Sequence, residues 1–253
     1  MKNMLAALLA LLMMLGAAAA VADKAPVKME IPPKAIETQA EGELETYGLT
    51  FPEEMPLAAR NFVLLARAQF EKHQWAKLPK ANEYTKWFYG DKREIGWCSV
   101  FQIWCAYHSG MQLVKYKQDA AVGDGDVISA MEGRVGNVFY AFDQHGRWLQ
   151  ADEVEAIPKP GYLVIYGVRG STPYTHVAIV ESVTELGDGM YELTTIEGNI
   201  NTSVRRMNYR YDATPKQKYY NMFRIPEDEI TQENCQYKLQ KDSWYITGFG
   251  ATW

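Results

Sequence analysis

An α+β fold is predicted for this chain, and three features of the sequence predict it. Apolar residues recur at helical spacing between Pro56 and Trp75, and again through GWCSVFQIWCAYHSG, residues 96–110. From Tyr162 onward the pattern changes to short β-branched and aromatic runs separated by turn-forming residues. Helices first and strands second is the order of a helical lobe packed on an antiparallel sheet. The 253 residues are 47% hydrophobic and 13% aromatic, enough to build a substantial core.

Two segments of other character precede the domain. Residues 1–22 combine Lys2, an apolar run from Met4 to Val21 and the small-x-small triplet Ala20-Val21-Ala22 before Asp23, the pattern of a secretory signal peptide. The run also approaches the roughly 20 residues that span a bilayer, so an uncleaved anchor is the alternative. Residues 23–56 mix Pro, Glu, Lys and Ala without apolar periodicity and read as a flexible spacer. A secreted or cell-envelope location is expected from the leader.

Within residues 57–253, Pro56 suits the first turn of a helix, and Phe62, Leu65, Ala66, Gln69 and Phe70 repeat on one face. A polar and aromatic stretch then leads to Cys98. Beyond it Val100, Phe101, Ile103, Trp104, Cys105, Ala106 and Tyr107 leave almost no polar face, so this helix is buried and should stop at Gly110. YLVIYG (162–167), HVAIVESV (176–183), MYELTTIE (190–197) and SVRRMNYRY (203–211) read as strands, with LGDG (186–189) as a turn. WYITGFG (244–250) closes the sheet.

The chemistry of the chain centres on Cys98. A thiol attacks as thiolate, and the start of a helix favours negative charge. Taken alone, a cysteine beside Trp in an apolar helix is more often core than nucleophile. His176 opens its strand and by period two shares a face with Ala178 and Val180. An imidazole there can take the thiol proton and later protonate a leaving amine. Glu197 and Asn199 project from one face if their strand continues, and either can accept the second N–H of His176. His73 and His145 lie in polar stretches, and His108 falls at the far end of the helix from Cys98. Cys, His and Glu are also zinc ligands, but the closely spaced pairs of zinc sites are missing, so neither metal nor cofactor is expected.

The odd number of cysteines leaves at least one thiol over unless it pairs between molecules. Cys98 and Cys105 on one helix lie about 10 Å apart at a 1.5 Å rise, beyond the roughly 7 Å limit for a disulfide. A pair between Cys105 and Cys235 and a buried, unpaired Cys105 both remain open.

In order and spacing these segments resemble the CHAP domains, the cysteine- and histidine-dependent amidohydrolases/peptidases. WFYGDKREIGWCSVFQIWCAYHSG (87–110) is similar to their nucleophile segment, and IPKPGYLVIYG (157–167) to their Pro-Gly strand entry. THVAIVESV, TTIEGNINTSVRRMNY and YITGFG resemble their His strand, Glu-Gly-Asn and Arg-rich strands, and closing strand. The likeness spans roughly residues 57–253. It implies a papain-like fold and cysteine-dependent hydrolysis of amide bonds in peptidoglycan, as an N-acetylmuramoyl-L-alanine amidase or an endopeptidase. Under it Cys98 is the nucleophile, His176 the base, and Glu197 and Asn199 the orienting groups, with Glu197 favoured. There are departures. Tyr162 stands where the family commonly has Asp, and residues 210–243 form a longer link than usual. Of the clustered Asp that bind calcium in some relatives only Asp91 is present, so no calcium site is expected.

A net charge of −5 argues against retention on nucleic acid by a bulk basic field. The expected partner is peptidoglycan, met by a monomer whose membrane association ends with the signal peptide. The alternative function is a catalytically silent wall-binding domain on the same fold, which differs in requiring no reactive thiol.

Overall fold

The computed structural model describes residues 46–90, 94–151, 153, 156–214, 219–230, 235 and 243–253. The leader predicted at 1–22, the spacer up to residue 45, and Asp91 lie outside the described residues. Helix α1 (Leu57–His73) follows Pro56, whose fixed φ of −61° prepares the first turn. It ends at Gln74, left-handed at φ 41°, whose N–H donates to the Phe70 carbonyl at 2.7 Å. Helix α2 (Glu83–Tyr89) is started by Asn82, whose side-chain oxygen accepts from the N–H groups of Tyr84 and Thr85. Helix α3 (Cys98–His108) follows Trp97 without a side-chain cap. Its end is where the sequence places it, with Gly110 at φ 81°.

Two short strands, β1 (Gln112–Val114) and β2 (Ile128–Ala130), form a parallel pair ahead of helix α4 (Val135–Gln144). The main sheet is built from β3 (Trp148–Gln150), β4 (Leu163–Val168), β5 (His176–Gly187), β6 (Met190–Ile200), β7 (Ser203–Asp212), β8 (Met222–Phe223) and β9 (Trp244–Gly250). Its seven strands run in the order β3-β9-β4-β5-β6-β7-β8, antiparallel throughout. Every long run predicted to be a strand is one. The simple order of helices followed by strands is not kept, because β1, β2, α4 and β3 intervene between α3 and β4. Among the described residues no helix is long and apolar enough to cross a membrane.

Alternation divides the central strands between two environments. Tyr166, Ala178, Val180, Leu193, Tyr209 and Phe249 belong to one buried cluster. Residues of the other parity meet the helices. A Cβ on Gly198 of β6 would lie 2.5 Å from Phe101 Cβ and 3.0 Å from Trp97 Cζ3, so α3 presses directly on the strand backbone there. Glu181 of β5 is 1% exposed and accepts from Arg67 of α1 at 3.0 Å and from Arg206 of β7 at 2.6 Å. This buried triad fastens α1 to the sheet and leaves the start of α3 over β5 and β6.

Candidate active site

His176 is the first residue of β5 and pairs in register with Tyr166 of β4. It is 5% exposed, with its ring centroid 5.7 Å from that of Tyr166 and 5.7 Å from that of Trp244. Its Nε2 is hydrogen-bonded to Glu197 Oε2 at 3.0 Å. Glu197, itself buried, accepts at Oε1 from the Thr195 hydroxyl at 2.7 Å and from the Tyr166 hydroxyl at 3.1 Å. Tyr166 is hydrogen-bonded in turn to the Tyr209 hydroxyl. Both carboxylate oxygens of Glu197 are thus hydrogen-bonded, as a buried polar group requires.

Cys98 reaches this cluster from the opposite side, as the first residue of α3. Its thiol is hydrogen-bonded to His176 and receives the backbone N–H groups of Ser99 and Val177. The imidazole is therefore held between thiol and carboxylate. Burial acts against charge on both Cys98 and His176. The mutual hydrogen bond and attraction outweigh it: His176 and the backbone N–H donors hold the Cys98 thiol below its ordinary range. Cys98 and Glu197 push His176 up to about 10. Burial and then the Glu197 charge drive the Tyr166 hydroxyl well above its usual value, which keeps it protonated as a donor.

Of the four residues singled out from sequence, the fold brings Cys98, His176 and Glu197 together. Asn199 is placed differently. The ladder shifts register between Glu197 and Ile200, and Asn199 adopts the left-handed conformation at φ 67°, so simple alternation does not carry Glu197 and Asn199 onto one face. Its Nδ2 lies instead 3.5 Å from the position a Cβ would take on Gly96, beside the chain entering α3. The remaining histidines are elsewhere. His73 bonds Glu83 and Tyr84, His108 packs against Trp104, and His145 adjoins Gln144.

Thr195, Tyr166, Tyr209 and Trp244 were not singled out by the sequence reading. Thr195 carried a usable signal, since it stands two before Glu197 and so on its face. Tyr166 and Trp244 carried none, because their place beside His176 depends on strand register. Tyr162, the departure after Pro-Gly, donates to the carbonyl of Trp253 at 3.2 Å and packs edge-on against its ring. Its role is to fasten the last residue to β4. Cys98 and Cys105 form no disulfide; Cys105 is buried, and Cys98 and Cys235 are part-exposed. Among the described residues no group of three or more His, Cys, Asp or Glu side chains is placed to hold a metal ion.

Fold and site together define an α+β protein with a thiol, an imidazole and a carboxylate in line, the thiol at a helix start and the imidazole at a strand start. Residues 88–199 match the family model of the CHAP domain, consistent with a CHAP domain there, of a family that generally comprises amidases and peptidases. The matched segment runs from α2 to Asn199 and includes Cys98, His176 and Glu197. No curated protein and no solved structure matches the chain.

Proposed function

We propose that this chain is an exported peptidoglycan hydrolase, an N-acetylmuramoyl-L-alanine amidase or an endopeptidase, that works through a Cys98 thioester. The observation that carries the reading is the hydrogen-bonded line from Cys98 through His176 to Glu197. The Cys98 thiolate attacks the amide carbon, and the carbonyl oxygen takes up negative charge beside the uncapped N–H groups that open α3. As the tetrahedral intermediate collapses, the C–N bond breaks and His176 gives its proton to the departing amine. Water then attacks the thioester with His176 as base, which releases the carboxylate and restores the thiol. Glu197 holds the imidazole in position and stabilises its charged form throughout.

Mass analysis of products from defined peptidoglycan tests the reading, because each hydrolysis frees one amine and its place identifies the bond cut. A new amine on the stem L-alanine marks the amidase, and one within stem or cross-bridge marks the endopeptidase. Unchanged peptidoglycan after prolonged incubation sinks the proposal and favours a silent wall-binding domain.

The charged pair also sets a pH dependence. The thiol is lowered, so its thiolate is lost only as pH falls through that depressed value. The imidazole is raised, so its proton is lost only as pH rises through about 10. Alkylation of Cys98 by iodoacetamide should therefore reach its plateau below the ordinary thiol range near 8.5 and stay there at high pH. Hydrolysis needs the imidazolium as well and should decline on an alkaline limb near 10. An alkylation midpoint at or above that of a free thiol contradicts the pairing.

A further inference from the structure

Beside the start of β5 lies a groove of 790 Å³ that the chemistry above does not use. Its walls include Tyr174, Tyr219, Tyr220 and Tyr245, together with Arg169 and Glu153. Two of these are chain neighbours of the candidate active site: Tyr174 stands two residues before His176, and Tyr245 follows Trp244, whose ring flanks the imidazole. The tyrosines are braced by their neighbours. Phe139 stacks on Tyr174 at 4.7 Å, Tyr219 meets Tyr245 edge-on at 4.9 Å, and the Arg169 guanidinium lies 4.4 Å from the centre of the Tyr220 ring. Tyr219 and Tyr220 are nevertheless 45% and 55% exposed. The aromatic line runs on outside the groove through Tyr140, whose ring is 6.3 Å from Tyr174 and 4.8 Å from Tyr116.

The chemistry of this surface selects among occupants. The backbone groups of the floor are already taken: Asn221 caps both the N–H and the carbonyl of Ile246, the Thr247 carbonyl accepts from Ala151, and the Val168 N–H donates to the Thr172 carbonyl, so the floor offers little open ladder to an extended peptide. Arg169 and Glu153 supply one charge of each sign, which suits a neutral ligand better than a polyanion. Braced aromatic faces interspersed with hydrogen-bonding side chains match rings that are apolar on one face and rimmed by hydroxyl and amide groups. Those are the features of N-acetylhexosamine units.

We propose that this groove binds the glycan strand of peptidoglycan as a saccharide subsite, holding several N-acetylhexosamine rings against the tyrosines while an attached peptide stem reaches Cys98. The inference rests on the hydrolase reading and extends it, because it assigns the recognition of substrate to a surface built into the domain itself.

The test is titration of the full chain, carrying Cys98→Ala to prevent turnover, with the tetramer of N-acetylglucosamine. Saturable binding is expected. Tyr219→Ala and Tyr220→Ala should each weaken it by about tenfold, in keeping with the loss of one aromatic stack, and Tyr220→Phe, which keeps the ring, should restore it. Both positions are exposed, so thermal melting should match that of the parent. No binding of the tetramer, or affinity unchanged from the parent in both alanine variants, overturns the subsite, as does competition for the groove by a free stem peptide but not by the saccharide. Amine release by the wild-type chain is scored separately. Release without saccharide binding sinks the groove and leaves the hydrolase standing, and saccharide binding without release does the reverse.

Discussion

Cys98→Ala is expected to lower amine release from peptidoglycan by a factor on the order of 10⁴ or more, the scale on which removal of a covalent nucleophile is felt. The substitution deletes one sulfur at a part-exposed site, so folding should be nearly unaffected. What is lost is the atom that forms the thioester. The N–H groups at the start of α3 and the His176–Glu197 pair survive it, and any residual rate measures what they do without a nucleophile. Cys98→Ser separates nucleophilicity from size. The serine hydroxyl fits the same space, but it is not ionised by a neighbouring imidazole at neutral pH, so it should rescue little activity. Release at the wild-type rate by the alanine variant would falsify the thioester mechanism.

The parts of this arrangement legible in the sequence are those written locally. Cys98 at the head of an apolar run and Gly110 at its end gave α3 both limits, because a helix needs free N–H groups at one end and a left-handed residue at the other. Alternation put His176 with Ala178 and Val180, and the structure keeps that parity. It failed for Asn199, because a register shift is a property of two paired strands and leaves no mark in one of them. Helix α2 falls within the polar and aromatic stretch before Cys98; at seven residues it is too short for a periodic signal, and its start at Asn82 is set by a local cap. The Tyr166 and Tyr209 hydroxyls near Glu197 come from β4 and β7, and only strand order brings them to the carboxylate. At Gly198, between Glu197 and Asn199, the close neighbour is Phe101 of the helix that carries Cys98.

The largest effect on stability is expected at Glu181, which has no chemical role. Its two carboxylate oxygens are divided between Arg67 and Arg206, at 3.0 and 2.6 Å, and the side chain is fully buried. Glu181→Ala removes the buried anion that Arg206 and Arg67 share, Arg67 keeping only its part-exposed pair with Glu71 at 2.7 Å, and breaking a buried ion pair costs about 3–5 kcal/mol. For a domain of this size the melting temperature should fall by roughly 6–20 °C, at about 2–4 °C per kcal/mol. Burial of charge is itself unfavourable, so a coordinated replacement of Glu181, Arg67 and Arg206 by methionine should recover much of the loss even though no ion pair remains. A drop of only a degree or two in the single variant would show that α1 is held by its apolar face alone. Glu181 and His176 belong to the same strand at opposite parity, so the triad secures one side of β5 while the other presents the imidazole. Loosening α1 also frees α3, which packs on it and carries Cys98. The Glu181 variant should therefore lose amine release as temperature rises well before the parent does, with an unchanged pH profile where it is still folded.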